Sequence, residues 1–168
     1  MWNIELLTTG GTIEKTYDES SGELSNRRSI VPRMLKRLRL EDTNISVRVL
    51  MSKDSQHMTE EDRKTILKTV RAVSDLADAV VILHGTDTLA VTGEMLEREL
   101  PEKKVPIVLT GAMRPFEMVR SDALQNLTES LIATKLLSPG VYVCAHGRAL
   151  SFPGVTKSPE KGTFVEAS

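Results

Sequence analysis

Five short, continuously apolar runs constrain the fold of this 168-residue chain more than any other feature. They are rich in Val, Ile and Leu and are separated by longer segments with helical periodicity. Near-continuous apolar runs of this length indicate strands that are buried on both faces, as parallel sheets require. The five predicted strands cover residues 4–9, 45–51, 79–85, 105–111 and 140–147.

The segments between these runs predict helices over residues 31–40, 59–77, 88–100 and 122–136. Thr59 and Asp62 have the spacing of a capping box at the start of the second helix. Alternation of strands and helices implies right-handed crossovers, so we expect a three-layer α/β/α fold with a mostly parallel, five-stranded, flavodoxin-like sheet.

The length suits one domain, so we predict a single domain over residues 1–168. Two stretches lack a clear apolar period. We expect residues 14–28 to form a mobile loop and residues 148–168 to form an irregular tail.

Charge and cysteine content exclude several classes of protein. The formal net charge is −1, which favours neither nucleic acid nor an anionic membrane as a partner. The single cysteine, Cys144, cannot form an internal disulfide and fits a reducing compartment. The N-terminus lacks a signal-peptide pattern and no apolar run approaches 18 residues, so we expect a cytoplasmic location without a membrane span.

A basic stretch at residues 27–40 raises the question of nucleic-acid binding. Its apolar residues follow a helical stripe, and its arginines and lysines fall mostly off that stripe. We therefore expect a solvated helix face and no nucleic-acid partner.

Polar side chains collect where four of the predicted strands end. The segments concerned are residues 8–12, 53–56, 84–88 and 110–115. The carboxyl ends of parallel strands share one edge of the sheet, which is where ligands bind in open α/β folds. The four segments are therefore expected to converge.

Each segment also has a simpler explanation. Thr-Gly-Gly-Thr at residues 9–12 alone can be a tight turn, and His-Gly-Thr-Asp-Thr at residues 84–88 can be a loop followed by a helix cap. Arg114 and Pro115 alone favour a structural role. The shared threonine-rich chemistry of the segments is what indicates a site.

Several kinds of site are excluded by absent motifs. The chain has no phosphate-binding loop, no dinucleotide fingerprint and no serine-hydrolase elbow. One cysteine and three histidines without close spacing argue against a metal site, so we expect neither metal nor cofactor.

What remains is a threonine nucleophile that a neighbouring base activates. The candidate nucleophiles are Thr12 and Thr86. Asp87 is adjacent to Thr86, Tyr17 follows Thr12 by five positions, and Lys157 lies in the tail.

Five motifs in order resemble the signatures of the bacterial-type L-asparaginases. They read TTGGTI, SQHM, HGTDTL, LTGAMRP and GVTKS. Their order and spacing are similar to those of that family's N-terminal domain over nearly the whole chain.

The resemblance implies an amidohydrolase that converts L-asparagine to L-aspartate and ammonia, with slower hydrolysis of glutamine. Thr12 would attack the side-chain amide and form an aspartyl ester, while Tyr17 closes over the substrate and helps to move the Thr12 proton. Lys157 and Asp87 would polarise Thr86, which aligns or activates water.

The resemblance also implies the residues that bind the substrate. Ser55, Gln56 and Asp87 would hold the α-carboxylate and α-ammonium groups, and backbone amides at residues 10–11 and 85–86 would stabilise the oxyanion. The full predicted substrate-binding set is Gly11, Asp54, Ser55, Gln56, Gly85, Thr86, Asp87, Ala112 and Met113.

Members of that family are usually longer, and the C-terminal domain of a neighbouring protomer supplies an acidic residue to the α-ammonium site. We therefore expect a short, single-domain member that binds substrate weakly and forms a homo-oligomer, with a dimer as the first expectation. Glu160, Glu166 or a neighbouring chain would replace the missing acid. The alternatives are a non-catalytic amino-acid-binding homologue and an amidotransferase component that acts on another amide.

Overall fold

A computed structural model describes residues 1–168, which form ten strands and four α-helices. The strands are β1 (Trp2–Gly10), β2 (Thr16–Asp18), β3 (Glu23–Ser25), β4 (Thr43–Lys53), β5 (Ala79–Leu83), β6 (Pro106–Thr110), β7 (Gly140–Ala145), β8 (Arg148–Ser151), β9 (Val155–Ser158) and β10 (Thr163–Glu166). The helices are α1 (Val31–Leu35), α2 (Glu60–Val73), α3 (Leu89–Glu99) and α4 (Ala123–Leu136).

The main sheet confirms the predicted parallel core. Its order is β4-β1-β5-β6-β7-β8, and the first five of these strands pair in parallel. Numbered along the chain, those five follow the order 2-1-3-4-5, which is the flavodoxin-like arrangement.

The prediction of five strands was one too few. β8 adds a sixth, antiparallel strand beside β7, after a two-residue turn at His146 and Gly147. β8 reads Arg-Ala-Leu-Ser, and only Leu150 in it is buried. A four-residue strand at the edge of a sheet needs only one apolar side chain, so its sequence has no detectable apolar run.

Two helical layers cover the sheet, as predicted. Along β5, Val80 and Ile82 face the cluster that contains α2 and α3, whereas Val81 and Leu83 face the cluster that contains α1 and α4. This alternation buries every side chain of the strand and explains why its sequence is apolar throughout. None of the four helices combines the length and the apolar content that crossing a bilayer requires.

The helices begin largely where the sequence predicts. Thr59 and Asp62 form a reciprocal capping box at the start of α2. The predicted helix over residues 31–40 is shorter, because the backbone after Leu35 tightens into turns in which Arg37 N–H donates to the carbonyl of Met34. The basic side chains of this segment are mostly exposed and its apolar ones pack inward, as expected of a solvated face.

The two segments predicted to lack regular structure both contain hairpins. β2 and β3 pair within residues 14–28, and β9 and β10 pair within residues 148–168. Phe164 of β10 and Val155 of β9 are buried in the core. The prediction of an irregular tail was therefore wrong, because two spaced apolar residues suffice to seat a short hairpin on the sheet.

Candidate active site

The turns that follow β1 and β5 touch through their glycines. Gly11 has φ of +78°, and a Cβ placed on it would lie 2.5 Å from the backbone nitrogen of Gly85. Gly85 in turn lies against Ser55, where a Cβ would approach the serine Cβ to 2.6 Å. Only glycine allows three backbones to pack this closely.

This packing adds to the interpretation of the glycines. Gly11 and Gly85 belong to the predicted substrate-binding set, and in the structure both also make the close contacts between turns. Thr12 follows Gly11 and Thr86 follows Gly85, so each threonine lies one residue from this contact at the rim.

The segment at residues 84–88 is more than a loop and a helix cap. Thr88 N–H donates to Ser55 Oγ at 3.2 Å, and Thr88 Oγ1 donates to the Ser55 carbonyl at 2.9 Å. The Thr88 side chain makes no capping bond to α3. It fastens the turn after β5 to the turn after β4 instead.

Lys157 reaches this point from β9. Its Nζ lies 2.8 Å from Thr86 Oγ1 and 2.7 Å from Asp87 Oδ1. Its side chain is one quarter exposed, so the ion pair with Asp87 is partly shielded from solvent. The three groups form a continuous lysine, hydroxyl and carboxylate cluster.

Each carboxylate oxygen of Asp87 accepts one hydrogen bond from a protein donor. Lys157 holds Oδ1, and Gln56 Nε2 donates to Oδ2 at 2.9 Å. The hydrogen bond from Lys157 is the main reason that the pKa of Asp87 lies below its usual value, against a smaller opposing effect of burial. The carboxylate therefore stays ionised near neutral pH.

Asp54, predicted to bind substrate, already accepts two hydrogen bonds within the protein. Its Oδ1 accepts from Gln56 N–H at 3.0 Å and its Oδ2 accepts from Lys15 Nζ at 3.0 Å. These two donors, in that order, lower the pKa of Asp54. Asp54 thus shapes the turn that presents Ser55 and Gln56.

Thr12 and Tyr17 are not joined by a hydrogen bond. Thr12 is half-buried at the start of the 3₁₀ turn Thr12–Glu14. Tyr17 lies on β2 with 57% of its surface exposed, and its backbone N–H donates to Glu117 Oε2 at 3.1 Å. The hairpin would have to move to bring the Tyr17 hydroxyl onto Thr12.

The backbone amides at the rim differ in availability. Gly11 N–H donates to the Lys53 carbonyl at 2.8 Å, so the expectation that it stabilises an oxyanion was wrong. The N–H groups of Thr86 and Asp87 donate to no protein acceptor. They precede α3, whose N-terminal dipole favours negative charge nearby.

The turn after β6 is held by hydrogen bonds to Asp122. Ala112 is buried in the core, so only its backbone can meet a ligand, and Met113 is half-buried. The N–H groups of Met113 and Arg114 donate to Asp122 at 3.0 Å. Sequence reasoning missed Asp122, because a single aspartate before a helix carries no sign of its distant partner.

A buried hydrogen-bond chain supports the turn at Thr86 from below. His84 is fully buried, and its Nδ1 lies 2.8 Å from the Gly85 carbonyl, while its Nε2 lies 2.7 Å from Thr92 Oγ1. Arg63 Nε donates to the same hydroxyl at 3.2 Å. Burial lowers the pKa of His84 to about 4, so the ring is neutral at pH 7.

A cleft of about 460 Å³ adjoins the cluster beside Asp54. It separates the β2–β3 hairpin from the end of β4 and is lined by Lys15, Asn26, Lys53 and His57, among others. Asn26 Nδ2 also donates to the Gly11 carbonyl at 2.8 Å, which links the base of the hairpin to the turn after β1. Asn26 was not predicted, because an asparagine within a polar loop gives no signal of this contact.

These features define a flavodoxin-like α/β protein with a hydroxyl, lysine and carboxylate cluster at the carboxyl rim of its sheet. The profile described as "Asparaginase, N-terminal" matches residues 3–163. The chain belongs to the asparaginase family, as the sequence motifs indicated.

Individual relatives agree with this assignment. The chain is 34% identical to the L-asparaginase of Thermococcus kodakarensis over 138 residues, which cover 82% of this chain and 42% of the relative. It is 33% identical to a component of the glutamyl-tRNA(Gln) amidotransferase of Methanosphaera stadtmanae over 147 residues, which cover 86% of this chain and 33% of that protein.

The structural similarity is also close. The solved structure of the thermostable T. kodakarensis L-asparaginase superposes with a TM-score of 0.87 at 32% identity, over 98% of this chain and 51% of that one. The chain therefore spans about half the length, or less, of these relatives. That residues 1–168 act as a single-domain enzyme stays a prediction.

Proposed function

We propose that this protein hydrolyses the side-chain amide of L-asparagine to L-aspartate and ammonia through a threonine ester. Family membership and the similarity to proteins named L-asparaginase support amide hydrolysis. The observation that carries the proposal is the contact of Lys157 Nζ with both Thr86 Oγ1 and Asp87 Oδ1. Lys157 extends from β9 to this point, where its amine can exchange a proton with the Thr86 hydroxyl.

In the first step, Thr12 Oγ attacks the amide carbon of the substrate. A C–O bond forms, the C–N bond breaks, and the Thr12 proton leaves with the nitrogen as ammonia. The Tyr17 hydroxyl would carry this proton once the hairpin closes. The free N–H groups of Thr86 and Asp87 support this step, because they offer donors for the developing oxyanion.

In the second step, water cleaves the ester. Its hydroxyl joins the acyl carbon, and its remaining proton returns to Thr12 Oγ. Thr86 would align the water, and Lys157 would exchange a proton with Thr86. Because Asp87 holds Lys157 by an ion pair, a substrate ammonium that binds Asp87 would compete for this carboxylate and release the lysine for proton transfer.

The substrate would be held by Ser55, Gln56 and Asp87 through its α-carboxylate and α-ammonium groups. Gln56 already donates to Asp87, so the two side chains are aligned for one small zwitterion. We further propose a homo-oligomer, with a dimer as the simplest form, in which a neighbouring copy completes the ammonium site.

A second candidate is hydrolysis of glutamine, or of another amide, within an amidotransferase complex. The relatives named as components of glutamyl-tRNA(Gln) amidotransferases favour it. Both candidates use the same threonine chemistry and differ in the length of the amide-bearing side chain.

The test is ammonia release by the full chain from L-asparagine, L-glutamine and D-asparagine. We expect release from L-asparagine to be fastest and to disappear in Thr12→Ala and in Thr86→Ala. Thr65→Ala is the matched control, because Thr65 is exposed on α2 and its hydroxyl bonds only its own helix. Dominant release from glutamine would favour the second candidate, and no release from any amide would favour a non-catalytic binder.

A further inference from the structure

The short turn between β7 and β8 contains a histidine in an unusual backbone conformation. His146 has φ of +51° and Gly147 has φ of +78°, and Ala145 pairs with Arg148 across the turn. A two-residue hairpin turn with both φ values positive favours Asn or Gly, because other side chains crowd the backbone there. Histidine at this position therefore indicates that its side chain has a use.

The His146 ring bridges Asp122, just before α4, and Thr163, at the start of β10. Its Nε2 lies 2.6 Å from Asp122 Oδ2, and its Nδ1 lies 2.7 Å from Thr163 Oγ1. A carboxylate only accepts, so Nε2–H donates to Asp122. In the neutral ring, Nδ1 then accepts the hydroxyl hydrogen of Thr163.

On one side, this bridge reaches the turn after β6. Asp122 accepts from the N–H groups of Met113 and Arg114 and from Asn126 Nδ2 at 3.1 Å. Burial raises the pKa of Asp122, but the Met113 amide, His146 and the Arg114 amide together outweigh burial and hold the pKa below its usual value. The carboxylate is therefore a charged centre that fixes this turn.

On the other side, the bridge reaches the hairpin that carries Lys157. Thr163 pairs with Ser158, and the next pair along the hairpin is Phe164 with Lys157. The opposite end of β9 is held by Glu94, whose Oε1 accepts from Gly154 N–H at 2.6 Å. Lys157 thus lies between two polar attachments of the hairpin, one at Glu94 and one at His146.

We propose that His146 is a positioning residue that holds the Lys157 hairpin in register with the rim of the sheet. The proposal rests on the proposed function, in which Lys157 exchanges a proton with Thr86. A shift of the hairpin by a fraction of an ångström would lengthen the 2.8 Å contact between those two side chains. Misplacement on this scale slows chemistry more than it weakens substrate binding.

The order carboxylate, imidazole and hydroxyl also occurs in nucleophilic triads. Here the carboxylate is committed to two backbone amides, and none of the clefts in the molecule is lined by Thr163. The arrangement therefore fits a structural bridge and not a second nucleophile.

The test compares Thr163→Val, which keeps the shape of the side chain but loses the hydroxyl, with Thr163→Ser, which keeps the hydroxyl. We expect Thr163→Val to lower kcat about tenfold with KM unchanged, and Thr163→Ser to retain kcat. His146→Asn suits the left-handed backbone and should lower kcat to a similar extent. The double variant should show no further loss, because both changes break the same link.

Glu129→Ala is the matched control. Glu129 accepts from Gly147 N–H at 2.8 Å, so it touches the same turn without reaching Asp122 or Thr163. Its kcat should stay at the wild-type value. Equal kcat values for Thr163→Val and wild type would overturn the proposal, and so would equal losses in Glu129→Ala and Thr163→Val.

Hydrogen exchange separates failure of this proposal from failure of the proposed function. Faster amide exchange at residues 155–166 and 112–114 in His146→Asn, with residues 79–83 unchanged, would support the bridge even if the wild type hydrolysed no amide. Unchanged exchange in both segments would overturn it, whatever the activity.

Discussion

Lys157 and Thr86 lie 71 positions apart in the chain, yet Nζ of the first is 2.8 Å from Oγ1 of the second. The lysine comes from a hairpin outside the main sheet, and the threonine from a turn at the end of a central strand. Their contact joins the two parts of the molecule that the proposed chemistry needs together.

Replacing Lys157 by methionine should remove proton transfer and leave the fold intact. We expect kcat for ammonia release to fall about a thousandfold, the scale of a lost acid–base group. Steady-state assays with L-asparagine measure this, with Lys161→Met as the control, because Lys161 is exposed in the loop of the same hairpin. A loss of less than threefold in Lys157→Met would remove the lysine from the mechanism.

Tyr17→Phe tests whether the β2–β3 hairpin takes part in the reaction. Because Tyr17 is mostly exposed, the variant should unfold at the same temperature as the wild type, while kcat falls about a hundredfold. Tyr142→Phe is the control, since its hydroxyl donates only to the Ser138 carbonyl, away from the rim. Equal activity of the two variants would contradict the proposed closure.

Gly11→Ala should disrupt the contact between the turns after β1 and β5. The alanine would have to adopt φ of +78° and ψ of 179°, a region almost restricted to glycine, which costs about 1–3 kcal/mol. Its Cβ would also overlap the backbone of Gly85, which costs about 1–3 kcal/mol more. Urea denaturation measures the loss. Gly162→Ala has a positive φ of 59° but open space around its Cβ, so it should show only the cost of a positive φ, about 1–2 kcal/mol.

Acid should weaken the fold through His84. The pKa of His84 falls from 6.5 to about 4 on folding, because burial opposes the charge. Below about pH 6.5 His84 is therefore protonated in the unfolded chain, whereas in the folded protein it is protonated only near pH 4. The contribution of neutral His84 to the free energy of unfolding is fully present above pH 6.5 and is lost as the pH falls toward 4.

Between pH 7 and pH 4.5 this single group should remove about 2–3 kcal/mol from the free energy of unfolding. Urea titrations at the two pH values should show a smaller change in His84→Gln than in the wild type. His57→Gln, which alters an exposed side chain, should keep the wild-type change. An identical pH dependence in His84→Gln and wild type would refute the assignment.

Much of the fold was predictable because a strand buried on both faces must be apolar, as in β5. β8 was not, since a four-residue edge strand with one buried side chain leaves no pattern. The rim turns were predictable from motifs, and the parallel sheet brings their ends together.

Other parts of the site could not be predicted from local sequence. The engagement of Asp54 by Lys15 and the bridge from Asp122 to Thr163 depend on which remote segments meet. Whether a backbone amide is free also depends on such contacts, because Gly11 N–H donates to the Lys53 carbonyl at the end of β4. Such pairings become fixed only when the elements pack.

The antiparallel strand β8 turns the chain back, so that β9 can bring Lys157 over the rim after the parallel sheet is complete. Lys157 is therefore the one member of the cluster that follows all five parallel strands along the chain, and the cluster is complete only when the β9–β10 hairpin has docked beside Thr86 and Asp87.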